Sequence, residues 1–160
     1  ADAEREMAWV IRVIESIRSV RSEMNIAPSE KFPLIVTGAA PEAADTMAKN
    51  SHLIERLARV SSCEIADAIP DGAVTIPLED AALHLPLKGL VDVAAEKARL
   101  TKSAGKIDKE INGLEKKLGN QGFLAKAPEE VVEEQRARLT LAKAEAEQIN
   151  AAMTRLNSLA

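Results

Sequence analysis

The sequence predicts an α+β protein: a long N-terminal helix and a small 3–4-stranded sheet with one helix, followed by a long antiparallel two-helix coiled coil. Three patterns indicate this fold. Apolar residues recur at helical spacing over residues 2–26. Residues 31–90 contain short β-branched segments bounded by Pro and Gly. Two later runs alternate steps of three and four between apolar residues, the spacing of a coiled-coil seam. We therefore expect two domains, residues 1–90 and 91–160.

The first helix is predicted over residues 2–26. Pro28 should end it, because proline disfavours the helical conformation of the residue before it. Trp9 is expected to anchor the core rather than to stack on a ligand. The inward face carries Met7, Val10, Ile11, Ile14, Ile17, Val20 and Met24. The outward face is expected to carry Arg5, Arg12, Arg18 and Arg21.

The small sheet is predicted within residues 31–90. Strands are expected at residues 32–37, 61–65, 73–78 and 83–87. A helix should run from Pro41 to about Arg59, with Leu57 among its inward residues. The last two strands form a hairpin in which His84 points outward. Because its apolar residues are few, this unit should pack against the first helix.

The C-terminal part is predicted to fold back on itself as two long helices. The first seam runs through Val93, Lys97, Leu100, Ala104, Ile107, Ile111, Leu114 and Leu118. The second runs through Val132, Gln135, Leu139, Ala142, Ala146, Ile149, Met153 and Leu156. The segment 119–128 between them is rich in Gly and Pro and should break the helix. Asp92 or Gly89 is expected to mark the start of the first helix.

Composition argues against several classes of function. The only cysteine, Cys63, excludes an internal disulfide and fits a reducing cytosol, and it reads best as a buried thiol. Neither His52 nor His84 has a partner at metal-ligand spacing. No apolar run reaches the roughly 18–20 residues that cross a membrane. We expect no catalytic residue, no metal and no cofactor in this chain. Because it begins without Met, we expect it to be a fragment of a longer protein.

Charge is distributed unevenly along the chain. The net charge is −4, but residues 91–126 carry 8 Lys and Arg against 5 Asp and Glu. Residues 1–90 have a net charge of −5 and residues 127–160 one of −2. The first long helix is therefore the basic element, and it could track a nucleic-acid backbone. Two alternatives are a solvated coiled-coil face and a coiled-coil module for protein interaction or dimerisation.

Three stretches carry a resemblance to the C-terminal region of bacterial valyl-tRNA synthetases. They are IRSVRSEMNIAP at residues 17–28, PLKGLVD at 86–92 and KKLGNQGFLAKAPEEVV at 116–132. The resemblance implies a cytosolic class I ligase that attaches valine to its tRNA with ATP. It also implies that this part is non-catalytic: the end of an anticodon-binding domain and a coiled-coil arm that holds the outer corner of the tRNA. The chain departs from the family at Gly105 and Gly113, where the family usually has stronger helix formers.

The same resemblance, together with the charge pattern, gives the candidate contacts. The partner is expected to be valine-specific tRNA, with no DNA and no membrane, and the protein is expected to be a monomer in the cytoplasm. The first helix of the arm supplies Lys97, Arg99, Lys102, Lys106, Lys109 and Lys116. Further candidates beyond it are Lys126, Arg136 and Arg138. Arg12, Arg18 and Arg21 are expected near the anticodon stem.

Overall fold

A computed structural model describes residues 1–159. Contacts divide the chain into one unit of residues 1–96 with the segment that starts at Arg155, and a second unit of residues 97–154. The elements are α1 (Asp2–Glu23), β1 (Phe32–Thr37), α2 (Pro41–Lys49), α3 (Ser51–Ala58), β2 (Val60–Ile65), β3 (Ala73–Pro77), β4 (Ala82–Pro86), α4 (Val93–Leu118), α5 (Gln121–Lys126) and α6 (Glu129–Leu159). This is the predicted α+β class. The functional division at residue 90 stays a prediction.

Helix α1 ends earlier than predicted, and Pro28 is not the cause. Asn25 adopts a left-handed conformation with φ 54°. Its N–H donates to the carbonyl of Ser22, and the N–H of Ile26 donates to that of Arg21. These two bonds form a Schellman motif, in which Asn replaces the more usual Gly. The helix therefore stops at a specific capping residue.

The sheet has four strands in the order β2-β1-β4-β3. Strands β1 and β2 are parallel, and the other two pairs are antiparallel. The predicted β3–β4 hairpin is confirmed, with Thr75 opposite His84. Helices α2 and α3 connect the parallel pair, and α1 packs against both, as expected for a sheet that is short of apolar residues.

The predicted single helix from Pro41 to Arg59 is two helices. They meet at Asn50, whose side-chain amide donates to the carbonyl of Thr46 at 2.8 Å. An Asn side chain that bonds to the backbone in this way competes with the helical pattern. Leu57, predicted inward, is 45% exposed. Two residues assigned to the inward face of α1, Met7 and Ile11, are also exposed.

His84 is fully buried, so the prediction that it points outward was wrong. Its Nε2 lies 2.7 Å from Oγ1 of Thr37, and its Nδ1 lies 2.9 Å from Oγ1 of Thr75. Two neighbouring strands thus satisfy both ring nitrogens. Trp9 is buried as predicted, and its Nε1 donates to Oδ1 of Asp80 at 3.1 Å.

The second unit contains most of the two long helices. Every predicted seam position between residues 97 and 154 is buried or half-buried. Nζ of Lys143 on α6 lies 3.6 Å from Oε1 of Glu115 on α4, so the two helices lie side by side. The coiled-coil packing of this pair stays a prediction. The segment between them contains a short helix, α5, because the side chain of Asn120 caps it by accepting from the N–H of Gly122 at 2.9 Å.

Candidate nucleic-acid interface

Four lysines of α4 share one exposed side of the helix. We call Lys102, Lys106, Lys109 and Lys116 the lysine face; all four are exposed. At about 100° per residue they fall within a sector of about 80°, roughly opposite the buried Leu100, Ile107 and Leu114. The steps of four, three and seven between these lysines predict a stripe beside the seam, and this prediction was wrong, because the stripe lies away from the seam. Along the axis they span about 21 Å, at 1.5 Å rise per residue.

The lysine face carries no carboxylate. The acidic residues of α4, such as Asp108 and Glu110, lie outside its sector on the same helical geometry. Two ion pairs of this unit join Glu133 to Arg136 and Glu115 to Lys143. Among the described residues, none forms an ion pair with a lysine of the face. These ammonium groups are available to an external anion without losing a partner.

The other predicted contacts of this unit have varied surroundings. Lys97 is half-buried at the edge of the seam, while Arg99, Lys126 and Arg138 are exposed. Arg136 is exposed and lies 3.5 Å from Oε1 of Glu133. Lys117, next to the face, places its Nζ 5.3 Å from the ring centre of Phe123, a cation–π distance. Phe123 is half-buried, and this contact holds α5 against the end of α4.

Arg21 is a structural residue, so its expected place on the outward face was wrong. It is 7% exposed, and its guanidinium lies 4.5 Å from the ring centre of Phe32. Nε donates to the carbonyl of Ala58 at 3.0 Å, and the terminal nitrogens donate to the carbonyls of Ala27, Glu30 and Arg59. Burial, together with the charge of Arg59, lowers the pKa of Arg21. Four of its five N–H donors bind backbone carbonyls and the side chain is buried, so Arg21 is poorly placed to bind a phosphate.

Arg12 and Arg18 remain exposed on α1. Arg18 lines a cavity of about 270 Å³ in the first unit, together with Arg21 and Arg59. Sequence reasoning missed Arg59, which adopts φ 56° at the end of α3. No sequence signal predicts a left-handed arginine, since Gly and Asn are the usual residues there. The cavity lining contains no Asp or Glu, which makes it a second basic surface.

The reactive side chains of the first unit are unsuited to chemistry. Burial, with a smaller effect of the Glu55 charge, raises the pKa of Cys63 to about 11, so its thiol stays protonated at neutral pH. Burial lowers the pKa of His84. The described residues contain no group of three or more His, Cys, Asp or Glu that could hold a metal ion. None of the helices within residues 1–159 is long and apolar enough to span a membrane.

Comparison with known proteins shows which family this region is similar to. Residues 92–157 match the family described as the valyl tRNA synthetase tRNA binding arm. The chain is 42% identical over 158 residues to the valine–tRNA ligase of Cereibacter sphaeroides, which covers 99% of this chain and 16% of that protein. It is 46% identical over 156 residues to the valine–tRNA ligase of Rhodopseudomonas palustris, and the match covers 98% of this chain and 16% of that protein. It is 44% identical over 159 residues to the valine–tRNA ligase of Caulobacter vibrioides, and the match covers 99% of this chain and 18% of that protein. The chain thus spans about one sixth of these relatives.

Proposed function

Because the chain belongs to the valyl-tRNA synthetase family and corresponds to the C-terminal part of such an enzyme, we propose that it is a non-catalytic tRNA-binding part of a valine–tRNA ligase. The observation that carries the proposal is the lysine face. It lies within the segment that matches the tRNA binding arm, and it presents four cations with no carboxylate among them. A polyanion is the partner that this charge pattern fits.

The binding is electrostatic and follows the RNA backbone. Flexible lysines act as point charges toward phosphates and carry no base code, so they position the RNA without reading its sequence. Contacts to phosphate and sugar recognise the shape of folded RNA. Valine specificity, the use of ATP and a cytoplasmic location belong to the longer enzyme in this proposal. The two long helices act as a coiled coil in a monomeric protein, with no DNA or membrane partner.

The proposed contacts keep the sequence-based set with one removal. The strongest are the lysine face and Arg99, which lies beside it on α4. Lys97 also stays in the set, but it lies at the edge of the seam. Weaker ones are Lys126, Arg136 and Arg138, and in the first unit Arg12 and Arg18. Arg21 is removed because its donors already bind carbonyl oxygens.

The test is the triple variant Lys102→Ala, Lys106→Ala, Lys109→Ala in the valine–tRNA ligase that contains this segment. We expect its affinity for valine-specific tRNA at low salt to fall about tenfold or more, equivalent to roughly 1.4 kcal/mol. The slope of log affinity against log salt should become shallower by about 2–3, since each lost phosphate contact removes roughly 0.7–0.9.

The matched control removes three lysines elsewhere: Lys31→Ala, Lys49→Ala, Lys143→Ala. It changes the net charge equally, so a loss confined to the first variant would assign binding to the lysine face. Two of the control lysines pair with carboxylates on the surface, at Asp45 and Glu115, and such pairs contribute little to stability. Equal affinity of both variants at low salt would overturn the proposal.

A dimerisation module is the second candidate function. Leu141 on α6 is 71% exposed, the largest exposed fraction among the exposed large apolar residues described. Ala137 and Ala144 flank it at steps of four and three on the same side of the helix and are also exposed. Sedimentation at several concentrations tests this function. A dimer that Leu141→Glu abolishes supports it, and a monomer at all concentrations refutes it.

A further inference from the structure

We propose that the tRNA backbone lies directly over Gly105 and Gly113 of α4, and that these two glycines are the positions of closest approach on the arm. The inference rests on the proposed function, since it names the surface that tRNA occupies. It identifies the side of α4 opposite the seam as the surface of closest contact, ahead of α6 and the edges of the seam.

Nothing inside the protein requires glycine at either position. Both lie in the interior of a 26-residue helix and are exposed. A Cβ added at Gly105 or Gly113 would meet nothing within 4 Å. Neither has a positive φ, unlike Gly38, Gly72 and Gly89. Each glycine weakens the helix by about 1 kcal/mol relative to Ala, so the helix is destabilised twice without any gain in packing.

The two glycines alternate with the cations of the lysine face. The order along the helix is Lys102, Gly105, Lys109, Gly113, Lys116, with steps of three, four, four and three. Residues three or four apart are neighbours on a helix surface. Lys109 is therefore adjacent to both glycines, and each glycine lies between two lysines. Asp108 and Glu110 are three residues from Gly105 and Gly113, to either side of this line. The line is a row of cations separated by bare backbone.

Bare backbone between cations suits a phosphate–sugar chain. Glycine is the residue that lets a backbone approach a ligand closely, because no Cβ stands between them. A ribose or phosphate at Gly105 can touch the helix itself while lysines on either side reach its neighbouring charges. A side chain at that point would hold the RNA away and lengthen each ammonium–phosphate distance, which weakens the attraction.

A second helix is a poorer occupant of this surface. Small residues also permit close helix packing, but two copies of the lysine face would bring like charges together. The face offers no carboxylate to pair with them and no large apolar side chain to bury. Charge complementarity thus favours a polyanion over another copy of the chain.

The test is a size series in the valine–tRNA ligase that contains this segment, with valine-specific tRNA as the probe. We expect the double variant Gly105→Ala, Gly113→Ala to raise the helix content and the midpoint of thermal unfolding. Its affinity for tRNA should nevertheless fall about threefold or more, and Gly105→Gln, Gly113→Gln should lower it further, by about tenfold or more. Stability and binding then move in opposite directions.

The matched control is Ala137→Gln, Ala144→Gln, which places the same final side chain at exposed positions of α6 and should leave affinity unchanged. Unchanged or tighter binding by the glycine variants overturns the inference. So does an equal loss for Ala and Gln, because that would indicate a need for helix flexibility and not for space. If the lysine triple variant loses affinity while the glycine variants do not, only this inference fails and the proposed function stands.

Discussion

Arg21→Met should destabilise the first unit strongly, because Arg21 joins the end of α1 to the end of α3. Its guanidinium binds the carbonyls of Ala58, Arg59, Ala27 and Glu30. Methionine has a similar length and apolar stem but no donor. The variant therefore removes the hydrogen bonds and keeps most of the packing against Phe32.

The expected loss in the free energy of unfolding depends on how deeply each of the four carbonyls is buried. A hydrogen bond from a charged donor contributes about 1.5–3 kcal/mol, and a buried acceptor left without a partner costs about 1–3 kcal/mol. Only the bond to Ala58 is fully buried, and water can reach the other three carbonyls in part. The four losses do not add, because one side chain makes all four hydrogen bonds. We expect a decrease of about 3 kcal/mol in the free energy of unfolding.

The assay is urea unfolding followed by tryptophan fluorescence. Trp9 is the only tryptophan and is buried in the first unit, so its emission reports that unit. Arg18→Met, one turn earlier and exposed, is the control and should change stability by less than about 0.5 kcal/mol. Arg21→Lys should recover little, since an ammonium cannot reproduce the planar fork. A loss below about 1 kcal/mol for Arg21→Met would refute the reasoning.

Two further predictions concern the first unit. Burial lowers the pKa of His84 in the folded protein, so on acidification the unfolded state binds a proton at this residue first. The free energy of unfolding should therefore fall as pH drops below about 6.5 and level off below the pKa of the folded state. Unfolding curves of the wild type and His84→Gln between pH 7.5 and 5.5 check this, and parallel pH dependences would contradict it. Asn25→Gly should preserve or raise the stability because φ is 54°, while Asn25→Ala should lower it by about 1 kcal/mol or more. Equal midpoints for those two variants would show that the left-handed cap carries no strain.

The features predicted correctly from the sequence depend on neighbours in the chain. The buried and half-buried positions of α4 and α6 follow from the 3/4 spacing, and the β3–β4 hairpin follows from local alternation. Asp92 caps the start of α4 as expected, accepting from the N–H of Ala95 at 3.1 Å. A few residues on either side determine each of these features, so one sequence is enough to find them.

The features missed depend on partners far away in the chain. Arg21 is buried because it meets carbonyls 37 and 38 residues later, and Thr37 satisfies His84 across 47 residues. A reading of local pattern places any Arg or His on the outward face. The spacing of Ile14, Ile17, Arg21 and Met24 nevertheless continues the apolar stripe of α1, and it could have placed Arg21 inside. Asn50 and Asn120 are exceptions: each acts locally, through side-chain bonds to the backbone that no periodicity records.

The acidic residues of α6 favour the lysine face over the other candidate contacts of the same unit. Glu129, Glu130, Glu133 and Glu134 fill the first turns of α6, where they are all exposed. They stabilise the helix start, but they repel a phosphate backbone. Arg136 already pairs with one of them, so an RNA contact there must break that pair and approach three more carboxylates. No carboxylate lies within the sector of α4 that carries Lys102, Lys109 and Lys116. The acidic turns of α6 therefore act against binding on that side, which favours the exposed side of α4 as the main contact for a polyanion.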